Sequence, residues 1–99
     1  MSNINAKELN VRMQNDEHLN LLDVREKIEY HTYNIGGANI PLPGLKEHLG
    51  ELNWNKTDEI IVICKAGIRS AVAKSILELN GYSNVRNLTG GLLALQRNQ

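Results

Sequence analysis

The chain has 99 residues, 41% hydrophobic and 22% charged, which suits one small globular domain with a modest core spanning residues 1–99. Eleven basic residues balance eleven acidic ones, so net charge gives no drive toward nucleic acid or an anionic membrane surface. No apolar run reaches the roughly 20 residues of a membrane-spanning helix, and no clustered cysteines and histidines suggest a metal site, so neither membrane nor metal is expected.

The opening residues lack the apolar core of a signal peptide. Residues 2–5 are expected to form a short first strand. Asn5 then caps a helix from Ala6 to about Asn15, with Leu9, Val11 and Met13 available to the core. Asp16-Glu17-His18 reads as a polar connector with His18 in solvent. Leu19 to Val24 reads as a second strand, and Asp23 comes at its C-terminal end, where ligands gather in open α/β sheets. A short helix is expected between Arg25 and Tyr33. Asp23 reads as its cap and Arg25 as a partner of Glu26 or Glu29, both structural. Nothing in the sequence places His31 at a site.

Ala38-Asn39-Ile40 is a further short strand. Pro41-Leu42-Pro43-Gly44 is turn chemistry. A helix from Leu45 to Leu52 would carry Leu45, Leu49 and Leu52 on one face. Trp54, in the connector 53–58, reads as a cover over the core edge.

Glu59 to Ile63 is almost wholly apolar and β-branched, the signature of a parallel strand buried on both faces. It runs straight into Cys64-Lys65-Ala66-Gly67-Ile68-Arg69-Ser70. A helix follows to Asn80, with Ile68, Val72, Ile76 and Leu79 at helical spacing and Ala73 and Leu77 beside them; Asn80-Gly81 stops it. The only cysteine therefore sits where a central strand ends and a helix begins. Free backbone N–H groups and the positive end of the helix dipole gather there, and they stabilise a thiolate or a small anion. Ala66 and Gly67 leave room for the backbone to curl, while Lys65 and Arg69 add positive charge. One cysteine forms no internal disulfide, so a reducing cytoplasm is the expected location. Ser83 to Leu88 is the last strand. Thr89-Gly90-Gly91 is expected to bring backbone close to the site rim, and Leu92, Leu93 and Leu95 to pack a final helix with residues after Arg97 frayed.

The segment CKAGIRS resembles the active-site loop of the rhodanese family, in which a cysteine carries a persulfide. Asp23-Val24-Arg25-Glu26 resembles the family's DVRE segment, Asn34 to Pro41 its "GHIPGAINIP" segment, and Asn84 to Gly91 its closing "NVYNLEGG". The four blocks follow the family's order across most of the chain. The resemblance implies a rhodanese-like α/β fold, with about five parallel strands and helices on both faces. It also implies that Asp23 and Arg25 support loops around the site, and that no cofactor is needed. Three positions depart from the pattern. Asn34 stands for histidine and Gly36 for proline, which would loosen a rim loop. Leu95 stands for tryptophan, which would thin the wall near the site.

The chemistry so implied is sulfur transfer. Cys64 would take the outer sulfur of a donor such as thiosulfate as a persulfide, then pass it to cyanide, a thiol or a protein acceptor. The loop N–H groups would hold the persulfide, with Lys65 and Arg69 binding the donor's anionic end. Two other readings stand beside it. A persulfide-carrying binding module would use the same cysteine for a partner protein. A phosphatase or arsenate reductase would need a signature resembling Cys-x5-Arg, whereas only Lys65, Ala66, Gly67 and Ile68 separate Cys64 from Arg69.

Overall fold

The computed structural model describes residues 3–98. Elements alternate as α1 (Ala6–Gln14), β1 (Leu21–Asp23), α2 (Lys27–Thr32), β2 (Ala38–Asn39), β3 (Ile60–Ile63), α3 (Ile68–Leu79), β4 (Val85–Asn87) and α4 (Gly91–Arg97). The strands form one parallel sheet in the order β2-β1-β3-β4. Four strands stand where about five were expected. Of the segment 2–5, residue 2 lies outside the described residues. Asn5 already caps α1, accepting from Glu8 N at 2.8 Å, so only Ile4 pairs, as a single parallel bridge to Leu88.

The expected central strand is found from Ile60 to Ile63, with Glu59 half-buried just before it. Ile60, Ile61, Val62 and Ile63 are all 0% exposed, each contributing about 1.5–3 kcal/mol of burial. Alternation along β3 divides the core in two. Ile60, Val62 and Cys64 join Leu22, Val24, Leu45, Ala73, Leu77 and Val85 on one face, under α3. Ile61 and Ile63 join Ile4, Leu9, Leu21, Leu88, Leu92 and Leu95 on the other, under α1 and α4. At the N-terminal edge of the strands, Glu59 accepts from Arg12 at 2.9 and 2.6 Å and from Arg86 at 3.1 Å. This network ties α1 to the sheet and leaves the opposite edge to the loop after β3.

Several expectations are corrected. The segment Leu45–Leu52 is not an α-helix. It forms 3₁₀ turns over Leu42–Gly44 and Lys46–Glu51, with His48 N bonding Leu45 O and Leu52 N bonding Leu49 O. Gly44 and Gly50 weaken a longer helix, and the tighter turn still delivers Leu45 to the core. On α3 the buried residues are Ser70, Ala73 and Leu77, whereas Ile68, Val72 and Leu79 lie on the opposite side and are exposed. Small residues let this helix approach the sheet closely. Val11 and Leu93 are likewise exposed, while Met13 packs half-buried against the core under α1 as expected. Of the residues after Arg97, Gln99 lies outside the described residues and Asn98 is tied down: its N–H bonds Leu95 O, and its carbonyl accepts from Asn10 Nδ2. Trp54 packs half-buried against the α3-side core, as expected of a cover. Gly36 takes φ +96°, a conformation proline cannot adopt, and Asn34 Oδ1 accepts from its N–H at 2.8 Å. The two departures there build a tied turn rather than a loose one.

Thr89-Gly90-Gly91 does reach the loop after β3. Gly91 has φ +63°, and a Cβ there would come within 2.4 Å of Lys65 O and 2.5 Å of Cys64 O. Gly91→Ala is expected to destabilise the fold by about 2–4 kcal/mol, from left-handed strain plus overlap with two carbonyls. Urea denaturation showing an unchanged midpoint would count against this packing.

Candidate active site

The loop 64–70 is built around one sulfur atom. Gly67 N donates to Cys64 Sγ at 3.0 Å, and its φ of +92° turns the chain into α3 at that point. Ser70 N donates to the same sulfur at 3.3 Å, and Ser70 Oγ lies 3.2 Å from it. The loop carbonyls face the other way. Leu92 N donates to Cys64 O at 2.9 Å, and Leu93 N to Lys65 O at 3.0 Å. The first turn of α4 thus satisfies the oxygens while the amide hydrogens converge on the sulfur.

Cys64 is buried, at 1% exposed. Burial pushes its pKa up and is the largest single influence. The Ser70 hydroxyl and the N–H groups of Ser70, Gly67 and Ala66 together outweigh it, so the thiol titrates below its ordinary value. Fixed backbone donors prevail because they cannot turn away from the charge they face.

The loop cations differ in their freedom. Arg69 is gripped by Glu29 of α2 through two bonds of 2.6 and 3.0 Å. That pair holds the Glu29 carboxyl down to about 2, and Glu29 also accepts from Glu26 N at 3.0 Å, ordering the start of α2. Lys65 is exposed and has no ion-pair partner among the described residues. Ala66 and Ile68 are exposed at the loop surface. Beside Lys65 opens a hollow of about 340 Å³ between α2 and α4, lined by Ile28, Tyr33, Leu92 and Leu93 with Arg25, Glu29, Thr32 and Gln96. Cys64 does not line it.

Asp23 and Arg25 form a bracket behind the loop. Asp23 is fully buried, and Arg25 meets its carboxylate through Nε at 3.0 Å and Nη2 at 2.8 Å. Arg25 also donates to Tyr33 O at 2.6 Å, and Asn39 Nδ2 holds the carbonyls of Asp23 and Arg25. Arg25 therefore pairs with Asp23 rather than with a carboxylate of Glu26 or Glu29, and Glu26, not Asp23, occupies the cap of α2. Leu95 is 0% exposed in the core under α1 and is no part of the hollow's wall, which corrects the expectation that it thins the site. His18 and His31 are exposed and outside the hollow.

Residues 5–98 match the family described as the rhodanese-like domain. The chain belongs to the rhodanese-like domain family. Among solved structures, a rhodanese-like domain protein from Staphylococcus aureus superposes with a TM-score of 0.84 at 28% identity, covering 96% of this chain and 91% of that one. The thiosulfate sulfurtransferase PspE of Escherichia coli (strain K12) is 42% identical over 72% of this chain and 68% of its own length. The putative sulfur carrier protein YrkF of Bacillus subtilis (strain 168) is 40% identical over 82% of this chain but only 43% of its own length.

The four sequence blocks of this rhodanese-like domain meet in space, with β1 and β2 side by side and the Gly90-Gly91 turn against the loop. Sequence reasoning missed Glu29 as the partner of Arg69, and it missed Asn87 altogether. Glu29 is 40 residues from Arg69, so spacing carries no signal of the pair. Asn87 shares the buried face of β4 with Val85, two positions before it, and that alternation could have marked it as a buried polar residue.

The labelling rate of Cys64 by iodoacetamide is expected to rise with thiolate and to reach half its plateau below the pH of a free-cysteine peptide, which titrates near about 8.5. The sign follows from the donors: they favour the charged form, so the folded pKa is lowered and the profile moves to lower pH. A midpoint at or above the peptide's would mean that burial dominates and the thiol is inert.

Proposed function

We propose that this rhodanese-like domain is a sulfurtransferase in which Cys64 is the nucleophile. The Cys64 thiolate attacks the outer sulfur of a donor such as thiosulfate. The sulfur–sulfur bond to the sulfonate group breaks, and its electron pair leaves with sulfite. Cys64 then holds a persulfide, whose terminal sulfur is attacked by a thiol, a protein thiol or cyanide, and the Cys64 thiolate is regenerated. The observation that carries this reading is the set of backbone N–H groups of Gly67 and Ser70 directed at Sγ in a loop at a strand end and helix start. The thiosulfate activity named for PspE supports the choice of donor.

Among the described residues no helix is long and apolar enough to cross a membrane. A reducing cytoplasm is the setting in which such a free thiol persists. The donor's anionic end is assigned first to Lys65, with Arg69 contributing through its pair with Glu29. The hollow beside Lys65 gives an acceptor room to approach. The carrier reading, favoured by the name of YrkF, uses the same persulfide and differs only in turnover.

Incubation with thiosulfate should add the mass of one sulfur atom to the intact protein. Cys64→Ser should abolish both that adduct and thiosulfate:cyanide transfer while remaining folded. Transfer above background in the folded variant would sink the assignment, and a single stoichiometric transfer without turnover in the wild type would select the carrier.

The charge arrangement separates three variants. Lys65→Ala should raise the apparent KM for thiosulfate about fivefold, for the loss of roughly 1 kcal/mol of interaction with the anion. Glu29→Gln should lower it, because a negative charge leaves and Arg69 is released. Arg69→Ala, which strips Glu29 of its partner, should weaken donor binding at least as much as Lys65→Ala. Steady-state kinetics at low and high salt read all three, and equal KM values throughout would remove both cations from donor binding.

A further inference from the structure

Asn87 stands behind the loop, at the end of β4 and in register with Val62, and is 7% exposed. Both ends of its amide are engaged. Nδ2 donates to Gly67 O at 3.1 Å. A carbonyl can only accept, so this bond sets the amide's orientation and turns Oδ1 toward Ser70. The Ser70 hydroxyl donates to that oxygen, in a very short contact, and also lies 3.2 Å from Cys64 Sγ. Ser70 is fully buried, and a hydroxyl has one proton to give.

Two arrangements of that proton follow. While the sulfur is a thiol, S–H donates to Ser70 Oγ and Ser70 donates to Asn87. When the thiol proton has gone to solvent, the thiolate and Asn87 Oδ1 both want the Ser70 proton. The charged acceptor binds more strongly, so the O–H turns to sulfur and Asn87 Oδ1 loses its donor. No bond to hydrogen breaks at Ser70; the O–H only rotates.

We infer that Asn87 is a positioning residue that competes with the Cys64 sulfur for the Ser70 hydroxyl and so sets the pH at which the thiol becomes a nucleophile. The inference rests on Cys64 being the reacting thiol. The charged groups of the surrounding elements hold partners other than Asn87: Arg69 on α3 pairs with Glu29 of α2, and Asp23 with Arg25 at the end of β1, while Lys65 of the loop is exposed. On β4, Arg86 is engaged by Glu8 and Glu59.

The test is the pH dependence of iodoacetamide labelling at Cys64 in four proteins: wild type, Asn87→Leu, Ser70→Ala and the double variant, with folding checked by circular dichroism. Asn87→Leu frees the hydroxyl for the sulfur, so its midpoint should fall by about one pH unit, a tenfold change in the thiol–thiolate ratio. Ser70→Ala should raise the midpoint. In the Ser70→Ala background there is no hydroxyl to compete for, so replacing Asn87 should move it little further; any shift from losing the bond to Gly67 O is common to both comparisons and cancels in their difference. An unchanged or raised midpoint in Asn87→Leu, or equal shifts in both backgrounds, would overturn the inference. Should Asn87→Leu fail to fold, Asn87→Asp strengthens the acceptor and reads the same contact with opposite sign. Its midpoint should rise more with Ser70 present than with Ala; equal rises would mean that it acts through space alone. Labelling needs no sulfur donor, so failure here leaves the persulfide mass measurement standing, and failure there leaves this one.

Discussion

The peptide groups after β3 are sorted by direction, and the site depends on that sorting. A chain leaving a strand carries N–H and C=O groups that need partners. Here the amide hydrogens of Gly67 and Ser70 go to one sulfur atom, while the carbonyls of Cys64 and Lys65 go to the first turn of α4. Neither half is stable alone. Without α4 these oxygens would lack their donors, and without the positive φ of Gly67 the chain would not enter α3 in the direction that brings Ser70 N to the sulfur. The two close approaches, Gly67 against Gly90 and Gly91 against Cys64 and Lys65, are where a side chain would separate the halves.

Around this frame the charges are graded by how firmly they are held. Arg25 is sealed against Asp23 and backbone carbonyls, so it serves shape. Arg69 is shared with Glu29, so its attraction for an anion is partly spent. Lys65 is the loop cation left in solvent. The hollow beside it has mainly apolar walls, including the exposed Ile28 and Leu93. An anion would thus be drawn toward the loop by a mobile point charge, while a bulkier approach is met by apolar surface.

The sequence made the central device legible because the device is local. A β-branched run, a cysteine, a small-residue loop and a helix stop lie within about two dozen consecutive residues, and each has a short-range physical signature. The Asn5 cap was readable for the same reason. What stayed hidden was long-range. Helical spacing picked out Ile68, Val72, Ile76 and Leu79 with Ala73 and Leu77 beside them, yet only Ile76, Ala73 and Leu77 of these pack on the core, joined by Ser70. The partners of Arg69 and Ser70 come from α2 and β4, and only the sheet order brings them there. Leu95 kept the family position but turned into the core under α1, where a sequence pattern could not distinguish wall from interior.

The clasp between α4 and the loop also has a bearing on time. Cys64 and the loop donors Gly67 and Ser70 are 20 or more positions ahead of Gly90 in the chain, so during synthesis they emerge first. Until residues 85–95 have emerged and docked, the carbonyls of Cys64 and Lys65 have no donors and the β3 edge has no neighbour beyond it. The loop is thus made before the clasp that closes it, and its final geometry waits on α4.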